Sequence, residues 1–389
     1  MMVTAKRRLP LWIALLAVLA LVASACGDDG DTGTETATED TGAETEDGAT
    51  EDGATEDAAT EDGGTEDAAT ETQASGDSCF EGQTATFVVS FDAGGGYDQI
   101  ARTMAPVLAE EMGAETVVVE NQAGAGGLLA MRNLQTAEPD GLTFGFFTGQ
   151  GMVGSVVGGA EGAEFDILED FSWVGRVAAD QRVLAVPGKS TELQSIEDVQ
   201  GAQGLKYATA GPGANDYIDA VVLLDVLGIE GGEIITGFTG SEETALALTT
   251  EDVQLASGTV GSRLSSIESG DHRPVLVLSG EPSDDLPDVP TLLDLELAED
   301  KRAIAQGYVD LQEMGRMVWA PGGIPEDCLT QLKDAFEATL ENETVVSQLE
   351  QADQEIDWVR GEEMQETAQS LLDAPEEFQA LLEQAYSAG

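Results

Sequence analysis

Basic residues are scarce in this chain. Lysine and arginine together number 16 among 389 residues, against 75 aspartates and glutamates, and the net charge is −59 at pH 7. A chain so poor in cations has nothing to lay along a phosphate backbone, which excludes nucleic acid as a partner. There is one histidine, His272, in GDHRP. It reads as a surface residue beside a turn proline, and no nucleophile–base pair can be named around it. The three cysteines, Cys26, Cys79 and Cys328, match no metal-site spacing, so neither a metal nor a cofactor is expected. The glycine loops contain neither G-x-G-x-x-G nor G-x-x-x-x-G-K-[ST], which argues against a nucleotide enzyme. With no reactive constellation to name, the sequence reads as non-enzymatic.

Long apolar runs are also missing, except at the start. Lys6, Arg7 and Arg8 precede an apolar run from Leu9 to Ala25. Its length is near the lower limit for a bilayer span, and a small-residue site follows at once. Residues 1–25 therefore read as an export signal. Two cleavage readings stand side by side. Ala23-Ser24-Ala25 fits an ordinary A-x-A site. The same residues with Cys26 resemble a bacterial lipobox, although Ala23 stands where leucine is usual. If Cys26 is lipidated, Cys79 and Cys328 remain, and an exported chain can pair them. If it is not, an odd thiol is left outside the cell. The lipoprotein reading is favoured. It places the protein outside the cytoplasm, held by lipid on the outer face of the cell membrane.

Aromatic and large aliphatic side chains disappear altogether between residues 27 and 77. TEDGA, TEDGA, TEDAA, TEDGG and TEDAA run from Thr45 to Ala69, and residues 27–77 hold 19 acidic and no basic residues. Such a segment cannot bury enough apolar surface to offset its ordering entropy, and it repels itself. Residues 26–77 read as a lipidated cysteine followed by an acidic, disordered linker. A calcium-binding repeat would need spaced glycines and oxygen ligands that are not there. Beyond the linker, Ser78–Gly389 carries 56 acidic against 13 basic residues, a net charge of −43. A salt-rich habitat, which screens such repulsion, suits this composition.

What is present in the folded part is alternation. Thr84–Ser90 (TATFVVS) predicts a buried strand. After DAGGG, helical spacing appears at Ile100, Met104, Val107, Leu108 and Met112, with Asp98 placed to cap the first turn and Gly113 at the C-cap. Pro106 predicts a kink or local break. Thr116–Glu120 predicts a second strand, Leu128–Leu134 a short helix and Leu142–Thr148 a third strand. The pattern returns with strands at Arg182–Val186, Lys206–Ala208 and Glu233–Thr236, and helices after ATAGPGAND and GFTGSEE. From Glu326 onward the chain reads as helical. Trp173 and Trp319 are expected in the core. The alternation implies an α/β fold with parallel sheets. Two lobes are expected: 78–185 with 263–389, including the helical tail, and 186–262.

Ligands of open α/β sheets bind beyond the carboxyl ends of the strands. The loops there open helices, whose first turns present unpaired N–H groups and partial positive charge. An anion can sit on them without lysine or arginine. DAGGGYD, NQAGAGG and TAGPGAND therefore look like anion cradles.

These segments carry a resemblance. DAGGGYDQIAR, VVVENQAGAGG and AEPDGLTFG, followed in order by YATAGPG, DVPTL and WAPGGIPED, resemble the signature segments of the extracytoplasmic receptors of tripartite tricarboxylate transporters, the Bug family. The resemblance covers about Phe80 to the C-terminus. It implies a type II periplasmic-binding-protein fold, with two lobes joined by a hinge and closing on a small carboxylate. It implies membrane permease subunits as partners and a monomeric receptor. Carried over residue by residue, the first lobe would offer Gly95, Gly96, Tyr97, Asp98, Ala125, Gly126, Gly127 and Thr148. The second would offer Thr209, Gly211, Gly213 and the aromatic Phe238. Departures are Tyr217, where the family often has histidine, and Glu242 and Glu243, which make the next helix start a poor anion site. That loop, or Asp98, is expected to suit a ligand ammonium or hydroxyl instead, as an amino acid would carry. A surface scaffold or adhesion lipoprotein is the remaining alternative.

Overall fold

The structure is a computed structural model that describes residues 78–387, apart from 353 and 355. The expected signal, Cys26 and the acidic linker lie outside the described residues. The chain runs β1 (Thr84–Val89), α1 (Gly96–Met112), β2 (Thr116–Asn121), α2 (Leu128–Gln135), β3 (Thr143–Thr148), α3 (Gly149–Val157) and β4 (Phe171–Ala178). It crosses to β5 (Arg182–Pro187), α4 (Ile196–Gly201), β6 (Lys206–Ala208), α5 (Asn215–Val226), β7 (Glu233–Ile235), α6 (Ser241–Thr249), β8 (Leu255–Thr259), α7 (Val260–Glu268) and β9 (His272–Val277). It returns through α8 (Glu299–Glu313), β10 (Arg316–Pro321), α9 (Glu326–Glu341), α10 (Glu343–Gln351), β11 (Val359–Arg360), α11 (Gly361–Leu372) and α12 (Glu376–Ser387).

Two mixed sheets result. The first has the order β11-β4-β10-β3-β1-β2 and the second β7-β6-β8-β5-β9. β1 lies parallel to β2 and β3, while β10 runs antiparallel between β3 and β4. In the second sheet β6 is parallel to β7 and β8, and β5 is antiparallel to β8 and β9. The strands of the second sheet span residues 182 to 277, wider than the 186–262 read from the sequence, because β5 and β9 hydrogen-bond to each other and not to the first sheet.

Phe80, Phe87, Phe144 and Phe146 are buried on one side of the first sheet, in a cluster that also takes residues from α1 and α9. On the other side a second cluster takes side chains from both sheets and from α5, α8, α11 and α12. Trp173 and Trp319 stand edge-to-face in it, with ring centroids 5.2 Å apart. This is the favoured geometry for paired rings, and the Trp173 indole N–H donates to the Ile167 carbonyl at 3.1 Å. Cys79 and Cys328 form a disulfide that ties the approach to β1 to the first turn of α9, across 249 residues of sequence. Among the described residues no helix is long and apolar enough to cross a membrane.

One sequence expectation fails and another holds only short of a break. α1 runs through Pro106 as one helix of 17 residues, without the local break. Pro106 lies on the exposed face, the side on which water can replace a lost backbone bond. His272 is not at the surface but 2% exposed. It begins β9, an edge strand, where Pro274 is tolerated because no strand needs its missing N–H. Nε2 of His272 lies 3.0 Å from both the Thr249 hydroxyl and the Ala245 carbonyl. Burial pushes the imidazole pKa below its ordinary value.

Candidate functional site

A cleft of about 1160 Å³ opens between the loops at the carboxyl ends of strands from both sheets. On the first side it is bounded by Tyr97 after β1, Ala125 and Gly126 after β2, and Thr148 at the end of β3. On the second side stand Ala210 and residues 212–216 of the loop after β6, Ser241 after β7, and Gly258 and Thr259 at the end of β8.

The loop into α2 has the most unusual backbone. Gly124, Ala125, Gly126 and Gly127 take φ values of 144°, 48°, 64° and 100°. Such a run is strained for residues with a side chain, which explains its glycines. A Cβ on Gly126 would meet nothing within 4 Å, while one on Gly127 would press the Met152 methyl at 3.2 Å. Gly126 thus lies open beside the cleft and Gly127 packs against the protein. Tyr97 stacks between Phe91 and Phe146, at 4.4 and 4.7 Å between centroids, with the Arg316 guanidinium 5.7 Å from its ring. Burial and nearby Asp180 push its phenol far above the usual value. The Thr148 hydroxyl accepts the Gly151 N–H at 3.3 Å and so caps α3.

Of the residues predicted for the site, Tyr97, Ala125, Gly126, Thr148 and Gly213 border the cleft. Gly95, Gly96, Asp98, Gly127, Thr209, Gly211 and Phe238 are not among its lining residues. Asp98 is buried in its own loop: Oδ2 accepts the Gly94 N–H at 2.8 Å and Oδ1 pairs with Arg102 at 2.8 Å. The Arg102 guanidinium, with the Gly94 N–H, holds this carboxyl down to about 2. Thr209 is fully buried. Phe238 packs on the small apolar cluster under α6, and Tyr217 enters the main core. Glu243 accepts the Thr239 N–H at 2.8 Å.

Several lining residues escaped the sequence reading. Asp180 and Arg182 come from the β4–β5 crossover, and Ser257, Gly258 and Thr259 from the end of β8. The strand–Gly–Thr–helix run at 255–260 was a usable signal. Asp180 is neutralised by Arg316, whose Nε donates to it at 2.9 Å. Arg182 donates from Nε and Nη2 to one oxygen of Asp219, at 2.8 and 2.6 Å. Ser257 also donates to that oxygen, and Tyr308 and Gln312 of α8 donate to the other at 2.6 and 3.1 Å. Asp219 is completely buried. This pair is saturated, as a buried pair must be to survive desolvation. Tyr386 on α12 borders the cleft too: its hydroxyl donates to the Gly151 carbonyl at 3.3 Å, and the Gly213 N–H donates to the Ala385 carbonyl at 3.0 Å.

The arrangement can bind and enclose a small ligand. The pattern of the tripartite tricarboxylate transporter family receptor matches residues 100–385. A protein of the ttuE-ttuC' intergenic region of Agrobacterium vitis is 25% identical over 285 residues, covering 70% of this chain and 76% of its own. A TctC solute binding protein from Polaromonas superposes with a TM-score of 0.64 at 17% identity, covering 77% of this chain and 98% of its own. MatC from Rhodopseudomonas palustris, a structure with bound malate, gives a TM-score of 0.56 at 21% identity, covering 77% and 98%. Two mixed sheets facing across a cleft are thus the periplasmic-binding-protein fold, and the chain belongs to the tripartite tricarboxylate transporter family receptors, which bind solutes and are not enzymes.

Proposed function

We propose that this receptor captures a small carboxylate in the cleft and presents it, with the lobes closed, to the permease subunits of a tripartite transporter. It works as a monomer on the outer face of the membrane, held through lipid on Cys26. The observation that carries the reading is the wall at Gly124–Gly127. There a run of left-handed backbone opens α2 beside the cleft, at a position where Gly126 leaves room for a ligand. Backbone N–H groups at a helix start favour an anion without any cationic side chain. MatC, of the same fold, carries malate, a carboxylate of suitable size. An amino-acid ligand loses support, because Asp98 and Glu243 already hold backbone N–H groups of their own loops.

Thermal melts of the purified protein in high salt, across di- and tricarboxylates, aromatic carboxylates, amino acids and nucleotides, test the reading. A ligand at about 100 times its Kd stabilises by roughly 2.7 kcal/mol. A carboxylate shift is the expected result. No shift with any member, and no ligand carried through purification in native mass spectrometry, turns the reading to a scaffold lipoprotein. Labelling with a radioactive fatty acid, lost on Cys26→Ser, tests the anchor.

A further inference from the structure

Three arginines among the described residues are buried: Arg176 at 4%, Arg182 at 6% and Arg263 at 0% exposure. Arg176 pairs with Glu313 and Asp357, and Arg182 with Asp219. Arg263, on α7, has no carboxylate within ion-pair distance among the described residues. Its partners are neutral. Nη1 donates to the Ser241 carbonyl at 3.2 Å, and Nη2 donates to the Thr244 hydroxyl at 2.7 Å and the Ser257 carbonyl at 2.6 Å. Nε has no partner. It lies directly under Gly258, where an added Cβ would fall 2.6 Å from it.

A buried charge with no counter-charge is costly, and a fold rarely keeps one without a use for it. The position suggests the use. Ser241, Ser257 and Gly258 all border the cleft, so the guanidinium lies one layer behind its second wall. Burial, with repulsion from Arg182, pushes its pKa down to about 10, so it stays charged at any physiological pH. The groups that act on it are Arg182, Tyr207 and Asp216. Arg182 is already neutralised by Asp219. Asp216, on the cleft, gives one oxygen to the Ala210 N–H at 2.9 Å, and its other oxygen has no partner. Left alone, that carboxylate would repel an anionic ligand.

We infer that Arg263 is a positioning residue for the ligand: from behind Ser241, Ser257 and Gly258 it offsets Asp216 and makes the second wall accept a carboxylate. The inference rests on the receptor reading above. It assigns opposite signs to two residues. Arg263 draws the ligand in and Asp216 pushes it away, with the wall tuned by their balance. It also explains how a wall whose nearest helix begins with Glu242 and Glu243 can face an anion.

The test is calorimetric titration of the purified protein with malate, or with whichever carboxylate the melt screen returns, alongside the ligand-free melting temperature of each variant. Arg263→Met should weaken binding about tenfold, the scale of one charge acting through a few ångströms of protein. Arg263→Lys, which keeps the charge, should recover most of that loss. Asp216→Asn, which keeps the acceptor for Ala210 and loses the charge, should tighten binding several-fold. Affinity of Arg263→Met within about twofold of wild type, or weaker binding by Asp216→Asn, overturns the inference and leaves the receptor reading standing. A lower melting temperature with unchanged affinity assigns Arg263 a structural role only, which also overturns it. If Arg263→Met does not fold, the sign of the Asp216→Asn effect decides. A wild type that binds no carboxylate removes the receptor reading and this inference with it.

Discussion

The two walls of the cleft solve one problem with different means. The first is made of backbone. Its loops carry glycine where φ must be positive, and two nearby acids are paired off, Asp98 with Arg102 and Asp180 with Arg316. The second is made of buried charge. Asp219 and Arg263 lie behind it and Arg182 reaches its edge, each with at most 7% of the side chain or residue exposed. A backbone wall reads shape and charge at contact and is indifferent to the surface around it. A wall over buried charges sets its potential from behind and stands or falls with a few side chains. In a chain with so few cations, placing two arginines out of solvent is itself a signal that their charge serves the interior.

Substitutions can sharpen or break this contrast. Arg182→Met should have the largest effect, because it leaves Asp219 buried and uncompensated. A loss of about 3–5 kcal/mol is expected in urea unfolding. Arg263→Met strands no carboxylate at ion-pair distance and should cost less than half as much. Equal losses would erase the distinction between the two arginines. Next comes the disulfide. Replacing both Cys79 and Cys328 with serine should cost about 2–5 kcal/mol, since the bridge closes a very long loop in the unfolded chain. Ligand affinity of the folded fraction should hold, because neither cysteine borders the cleft.

Gly126→Val follows. It should destabilise the ligand-free protein by about 1–3 kcal/mol, from its left-handed φ. It should also abolish the carboxylate-dependent melt shift, because its side chain would fill space open beside the cleft. A retained shift would move the anion site off the first wall. The smallest effect belongs to His272. Its folded pKa lies below that of the unfolded chain, so the unfolded state binds more protons, and stability falls as the pH drops through about 6.5. His272→Gln should flatten that part of a stability-against-pH curve. Equal slopes in both proteins would show that the imidazole takes no part in it.

The glycine loops of both walls were legible in the sequence and the charges behind the second were not, for a physical reason. Glycine runs such as Gly124–Gly127 declare a backbone need within a few residues, and strand-loop-helix order places them at a sheet end. The partners of Asp219 lie 37, 38, 89 and 93 residues away, and nothing local in NDYIDAVV says that one acid is buried and another borders the cleft. His272 shows the same limit. GDHRP has the composition of a turn, yet edge-strand pairing with β5 makes it the start of β9. Asp98, read as a cap for α1, makes no side-chain cap there: it holds the Gly94 N–H of the preceding loop and pairs with Arg102 one turn later, which no local pattern announced.

The strand order has a consequence for how the chain is made. β3 and β4 are not joined until β10 is laid between them, and β10 comes after the whole second sheet. A ribosome therefore delivers the first three strands early and their closing strand late. Throughout that interval the growing chain shows the unpaired edges of β3 and β4, bordered by Phe146, Phe147 and Trp173, in an order that favours sticking to a neighbour. The first sheet to begin is the last to be finished. Its central seam waits for β10 through the making of the whole second sheet, and any slow step there lengthens that wait.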